Sequence, residues 1–257
     1  MTSIIQVSQA HYPESDGKPM GETDEHRQEM VRHIELLEDF FQGQQVYVSG
    51  DLLVYYEQGN PKKYVVPDAF VAKGVAPKKR RVYKTWVEGK APDVVVETTS
   101  RKTRRKDTVE KPGLYARLGV KEYFLFDPDL EYLDPPLQGY RLVGPTYERI
   151  AADPMGGLTS QELGLRLCLG EGVLQFYRLG TNGMSDRLLT REERAERETE
   201  RADRETERAE REAEARQRET ERANREAQAR QAEAEARHAA ERELARLREE
   251  LARRPPT

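Results

Sequence analysis

Asp68 and Glu97 are the two acids whose surroundings set them apart from the other carboxylates of the chain. Asp68 follows Pro67 at the mouth of the apolar run Val65–Val71, and Glu97 closes the segment Asp93-Val-Val-Val-Glu97. A carboxylate placed directly after three valines that read as buried needs a partner, because an uncompensated charge away from water is costly. On neighbouring strands, ~4.8 Å apart, two such carboxylates can reach one hard cation such as magnesium, which asks for few protein ligands and keeps several waters. Lys111 is the third member. It shares a helical face with Leu114, Tyr115 and Leu118, so its ammonium points to the packed side, where it must meet an acid or a phosphate. Two acids, a divalent ion and an ammonium are the minimal set for hydrolysing a phosphodiester near neutral pH.

Asp93 is the rival for the first acid, since Pro92-Asp93 repeats the Pro-Asp pair. It shares a strand face with Glu97, but four residues at ~3.4 Å put their α-carbons over ~13 Å apart, too far for one ion. Asp68 is therefore preferred. After Ser100 come five cations in six residues, and Arg101, Lys102, Arg104 and Arg105 read as a basic loop able to dock a phosphate backbone without reading sequence. Lys78-Lys79-Arg80-Arg81 extends the same patch. His26 and His33 are seven residues apart, which is not a metal-ligand spacing, so a packing or surface role is expected for both.

The elements that must position these groups follow from periodicity. Met30, Ile34, Leu37 and Phe40 or Phe41 recur at helical steps, with Thr23 or Asp24 as cap and Gly43 as stop. Gln45–Val48 and Leu52–Tyr56 read as strands joined in a hairpin through Ser49-Gly50-Asp51. The valine run and Tyr123-Phe-Leu-Phe126 are apolar on both faces, as in the centre of an α/β sheet. Between them a helix is expected over Thr108–Leu118, with its regular part starting at Pro112, a residue suited to a first helical position. That would leave Lys111 at the helix mouth. Tyr140–Val143, Leu165–Leu169 and Val173–Tyr177 add strands, so the expected fold class is α/β: a mixed central sheet flanked by helices.

Three segments differ in composition. Residues 1–21 are polar and without periodicity, a flexible leader; residues 22–180 form the folded domain; residues 190–254 are almost wholly Arg, Glu, Ala and Gln. In that tail Ala195, Ala202, Ala209 and Ala223 alternate with Thr199, Thr206, Ala213 and Thr220 on a seven-residue repeat, a seam of very small residues. Glu193, Glu200, Glu207, Glu214 and Glu221 each precede an arginine by four, which stabilises a helix by ~0.2–0.5 kcal/mol per pair. A lone charged helix and a weak coiled coil holding a homodimer both fit. Of the 257 residues 35% are charged, yet the formal net charge is only −4, so any nucleic-acid affinity must be local. Cys168 is the sole cysteine, excluding an internal disulfide. No apolar run approaches a membrane span or a signal peptide, and a cytoplasmic setting is expected.

The stretch PDVVVETTSRKTRRKDTVEKPGLYARLGVKEYFLFDP resembles the core signature of the putative restriction endonuclease family within the PD-(D/E)XK nuclease superfamily. ETDEHRQEM, GNPKKYVVPDAFV and LQGYRL agree with it, and the resemblance runs from Glu22 to Leu179. It implies a restriction-endonuclease-like sheet, magnesium as cofactor with manganese as a substitute, and cleavage of DNA. Asp68 and Glu97 fall on the family's two acids, and the backbone carbonyl of Thr98 becomes a further metal ligand. Thr99 stands where the superfamily archetype has its lysine; the resemblance moves that role to Lys111 on the following helix. It also implies an assisting acid on the first helix, where Glu22 and Glu25 are both candidates. The alternative to an active endonuclease is a nuclease-like fold that serves as a binding or assembly module through its tail.

Overall fold

The computed structural model describes residues 11–15, 17, 23–180 and 187–252, and the chain divides into two compact units at Thr190. In the first unit, α1 (Asp24–Phe40) opens on Thr23, whose side chain accepts from the His26 amide at 3.2 Å. This is the cap expected of a threonine before a helical run. The helix buries Met30, Leu36 and Leu37.

A six-stranded sheet follows, in the order β1 (Val46–Ser49), β4 (Ala69–Lys73), β6 (Val94–Thr98), β7 (Glu122–Phe126), β8 (Leu137–Val143) and β9 (Thr146–Arg149). Only β6 and β7 run parallel, which requires the crossover through α3 (Lys111–Leu118). Alternation sorts the central strands onto two cores. Val94, Val96, Phe124 and Phe126 face α1 and a three-stranded sheet of β10 (Leu158–Ser160), β11 (Leu165–Gly170) and β12 (Val173–Arg178). Val95, Tyr123 and Leu125 face Tyr115 of α3 and a second small sheet, where β2 (Val54–Tyr55) lies between β3 (Tyr64–Val65) and β5 (Tyr83–Lys84). Every residue of β6 and β7 is buried, as their continuous apolar runs predict.

Three local expectations change. Ser49-Gly50-Asp51 is not a hairpin turn: β1 pairs with β4 in the large sheet, whereas β2 pairs with β3 and β5. The run Val65–Val71 is likewise two strands, and the chain changes sheets at Pro67-Asp68, where proline has no amide to give a ladder. Third, part of the expected flexible leader is anchored. Tyr12 packs on Tyr55 and Trp86 with ring centroids 5.0 and 5.3 Å apart, and its hydroxyl accepts from the Gly59 amide.

The second unit holds α4 (Arg191–Ala252), 62 residues long. Its side chains are exposed from Arg194 through Glu249, and pairs such as Arg201–Glu205 and Arg208–Glu212, each at 3.0 Å, run along it. Among the described residues no helix is long and apolar enough to cross a membrane.

Candidate active site

The register of the sheet brings the two acids together. Ala69 pairs with Val96 across antiparallel β4 and β6, so the next step outward sets Asp68 beside Glu97. Their contacts are reciprocal. The Asp68 amide donates to Glu97 Oε2 at 3.2 Å, and the Thr98 amide donates to Asp68 Oδ2 at 2.7 Å. His26 Nε2, from the first turns of α1, stands 3.4 Å from the same Asp68 oxygen. Among the described residues Asp68 Oδ1 accepts no hydrogen bond, which leaves it available at the partly open edge of the site.

Glu97 is fully buried, and burial pushes its carboxyl up to about 8 against the pull of Lys111, with Asp68 and Asp107 adding to the rise. Burial acts on Asp68 in the same direction, but the His26 hydrogen bond, the Lys111 charge and the Thr98 amide outweigh it and hold it below its ordinary range. Lys111 Nζ lies 2.9 Å from Glu97 Oε2 and 2.9 Å from Asp107 Oδ1, with its side chain 17% exposed. Burial disfavours that ammonium, yet the charges of Glu97, Asp107 and Asp68 raise its pKa above the usual lysine value, so it stays protonated. Tyr115 donates its hydroxyl to Glu97 Oε1 at 2.7 Å, and burial followed by the Glu97 charge keeps that proton in place.

The helix carrying Lys111 does not begin at Pro112. Ser100 and Thr103 exchange backbone-to-hydroxyl bonds of 3.0 and 3.3 Å, and a helical turn starts directly behind them. It widens into a π-turn over Lys106–Glu110, where the Lys111 amide reaches back to the Lys106 carbonyl, before α3 continues through Pro112. The cause is proline: Pro112 has no amide for the carbonyl of Thr108 and its ring crowds that carbonyl, so a wider turn relieves both faults. Arg104 and Arg105 therefore ride exposed on the first helical turn, while Arg101 and Lys102 lie exposed in the turn just before it. They project from the end of β6 that carries Glu97.

Other expected members fall elsewhere. Asp93, at the far end of β6, binds Lys90 at 2.6 Å, Lys121 at 3.0 Å and the Lys73 amide at 2.7 Å. Burial would raise its carboxyl, but these three donors lower it, and Asp93 is a structural acid. Arg80 makes two 2.8 Å bonds to Glu88 and covers the Tyr47 ring, and Arg81 meets Glu14 at 2.9 Å, so these two cations of the 78–81 run are engaged within the fold. Glu22 lies outside the described residues; Glu25 is exposed, and the buried acid of α1 is Glu29, 3.3 Å from His33. His33 packs between Phe126 and Phe176, as a packing histidine should, whereas His26 adjoins the acid pair. Sequence reasoning missed His26, Asp107 and Tyr115 as neighbours of the acids. The one signal was helical spacing, since Asp107, Lys111 and Tyr115 recur at four-residue steps.

Gly50 fixes the backbone beneath Asp68. A Cβ there would meet the Asp68 carbonyl oxygen at 1.9 Å and Ile34 Cδ1 at 2.6 Å, and the Asp51 amide donates to the Pro67 carbonyl at 2.9 Å. Gly50→Ala is expected to cost about 1–3 kcal/mol in a thermal melt by forcing these segments apart. An unchanged melting curve would mean that the contact is not tight.

As a constellation this is an acid pair on adjoining strands of a mixed sheet with a helix-borne lysine. The chain matches the Uma2 family, described as "Putative restriction endonuclease", over residues 9–170, and it belongs to that family. Among solved structures it is similar to a putative nuclease of the DUF820 group from Anabaena variabilis, with 15% identity, a TM-score of 0.43, and coverage of 57% of this chain and 76% of that one. No curated protein matches it.

Proposed function

We propose that the protein is a magnesium-dependent endonuclease that hydrolyses DNA phosphodiester bonds, with manganese able to substitute. The observation that carries this reading is the convergence of Asp68, Glu97 and Lys111 at one end of the sheet. The residues suit a hard divalent ion: two carboxylates and the Thr98 carbonyl supply oxygen ligands, and Asp68 Oδ1 is available. When bound, the ion supplies an activated water and neutralises charge on the phosphate.

The chain's own groups then have distinct roles. Asp68 and Glu97 hold the ion, with the Asp68 oxygen oriented by the Thr98 amide and His26, and the plane of Glu97 by Tyr115. Lys111, protonated and sheltered, donates to a non-bridging phosphate oxygen as negative charge grows there. Arg101, Lys102, Arg104 and Arg105 follow the DNA backbone; they carry no base readout, so binding weakens steeply with salt. A nicking assay on supercoiled DNA with magnesium tests the reading against Asp68→Ala and Glu97→Gln. Nicking by wild type alone is expected. Equal nicking by all three would sink it, and no nicking by any would favour a binding module.

The tail supports weak self-association at most. Its Ala/Thr seam is flanked on one side by Glu196, Asp203 and Glu210 and on the other by Glu198, Glu205 and Glu212, so two paired copies would set like charges together. Any dimer formed through α4 is therefore expected to strengthen as salt rises, the opposite of DNA binding. Sedimentation at low and high salt, with and without residues after Thr190, checks this; dissociation by salt would contradict it.

A further inference from the structure

Asp107 is the one carboxylate of the cluster that the proposed chemistry leaves without a task. It is 1% exposed, and among the described residues neither of its oxygens accepts a hydrogen bond. Lys111 Nζ stands 2.9 Å from Oδ1, an ion pair that answers the charge of the carboxylate. A buried carboxylate with unused acceptors is expensive to maintain and asks for a reason. The local backbone is committed to keeping it there: the π-turn carries it, and the Tyr123 hydroxyl pins that turn by donating to the Asp107 carbonyl at 2.8 Å.

We propose that Asp107 is the positioning residue of Lys111, holding the ammonium in the site once Glu97 is committed to a divalent cation. The inference rests on the reading of Glu97 as a cation ligand. Lys111 stands equally far, 2.9 Å, from Glu97 and from Asp107. With Glu97 as its sole partner, the ammonium would be driven off by the charge of an ion on the same carboxylate. Asp107 offers a second seat four residues earlier on the same helical segment, reached by a side-chain shift with no movement of the backbone. A lysine directly after β6 would be held by its strand. Thr99 occupies that place, so a helix-borne lysine needs its own tether.

Acylation of Lys111 by an amine-reactive ester, followed by peptide mass spectrometry on cation-free, full-length protein, tests this without any cleavage readout. Glu97→Gln stands in for a Glu97 whose charge is engaged elsewhere. Lys111 in that variant is expected to label within about twofold of wild type, and in Glu97→Gln/Asp107→Asn at least about tenfold faster, as befits loss of a buried pair. Lys90, tied to Asp93 at the other end of β6, is the internal control and should not change. Release of Lys111 by Glu97→Gln alone, or protection in the double variant, overturns the proposal. Should Lys90 also label faster, the single Asp107→Asn variant titrated with magnesium decides. Lys111 labelling that rises there but not in wild type supports the tether, and a flat response defeats it. The first comparison contains no cation, so a failed nuclease reading would be seen separately, in the nicking assay.

Discussion

Replacing Glu97 by glutamine is expected to abolish magnesium-dependent nicking and also to remove a slope in stability against pH. The second effect follows from where the carboxyl sits. Folding lifts its pKa from an ordinary 4.5 to about 8, chiefly because it is buried. Between those values the folded chain keeps a proton that the unfolded chain has released, so raising the pH favours unfolding. The stabilisation is complete below the unfolded value and is gone once the pH passes about 8. Metal-free wild type should thus melt progressively lower from about pH 5 to pH 8, at about 1.4 kcal/mol for each unit by which the pKa is raised. Asp68, whose carboxyl is depressed, loses its contribution only in acid below that window and does not mask the trend. With magnesium present the slope should shrink, since Glu97 then gives up its proton. Parallel melting curves for wild type and Glu97→Gln across this range would contradict the assignment.

Lys111→Ala should do more damage to the fold than any other single change in the site. The lysine is the cation closest to Glu97 and Asp107, at 2.9 Å from each, and it lowers the Asp68 carboxyl as well. Removing one partner of a buried ion pair leaves the other charge uncompensated, at about 3–5 kcal/mol. Part of that loss is avoided here because Glu97 keeps its proton in the folded chain below about 8, so the destabilisation should grow as the pH passes that value. Nicking should fall by about a hundredfold or more, the scale of losing one preorganised donor to the developing charge. Lys111→Arg is not expected to restore it, because the wider fork does not fit between two oxygens set for a point charge. Urea melts at about pH 7 and about pH 9 check the first part, and an equal loss at both would refute it.

Much of the site was legible because its decisive residues are local in sequence. Three consecutive valines announce a central strand, and the acid that ends them cannot face water comfortably. Strand spacing alone separated Asp68 from Asp93, and the two do lie at opposite ends of the sheet, Asp93 among lysines. What stayed hidden depends on long-range pairing or on context. The segment around Gly50 has the composition of a hairpin turn, yet its glycine is there for a close approach to Asp68, 18 residues later in the chain. Asp107 sits in a run of cations and looks solvated, until the π-turn rolls it inward. Nothing in the spacing of His26 indicated that α1 would cross near Pro67-Asp68.

The π-turn also bears on how the length of this segment can vary. Lys106–Glu110 holds one residue more than a regular helical turn needs, and each residue of a helix turns its neighbours by about 100°. Deleting the exposed Val109 would let an ordinary turn close, with Asp107 then three residues rather than four before the lysine and still on its face of the helix. Lys111 and Tyr115 would keep their places. In chains that lack Pro112, a one-residue deletion here would be structurally easy, and it would leave the lysine beside its carboxylate neighbour.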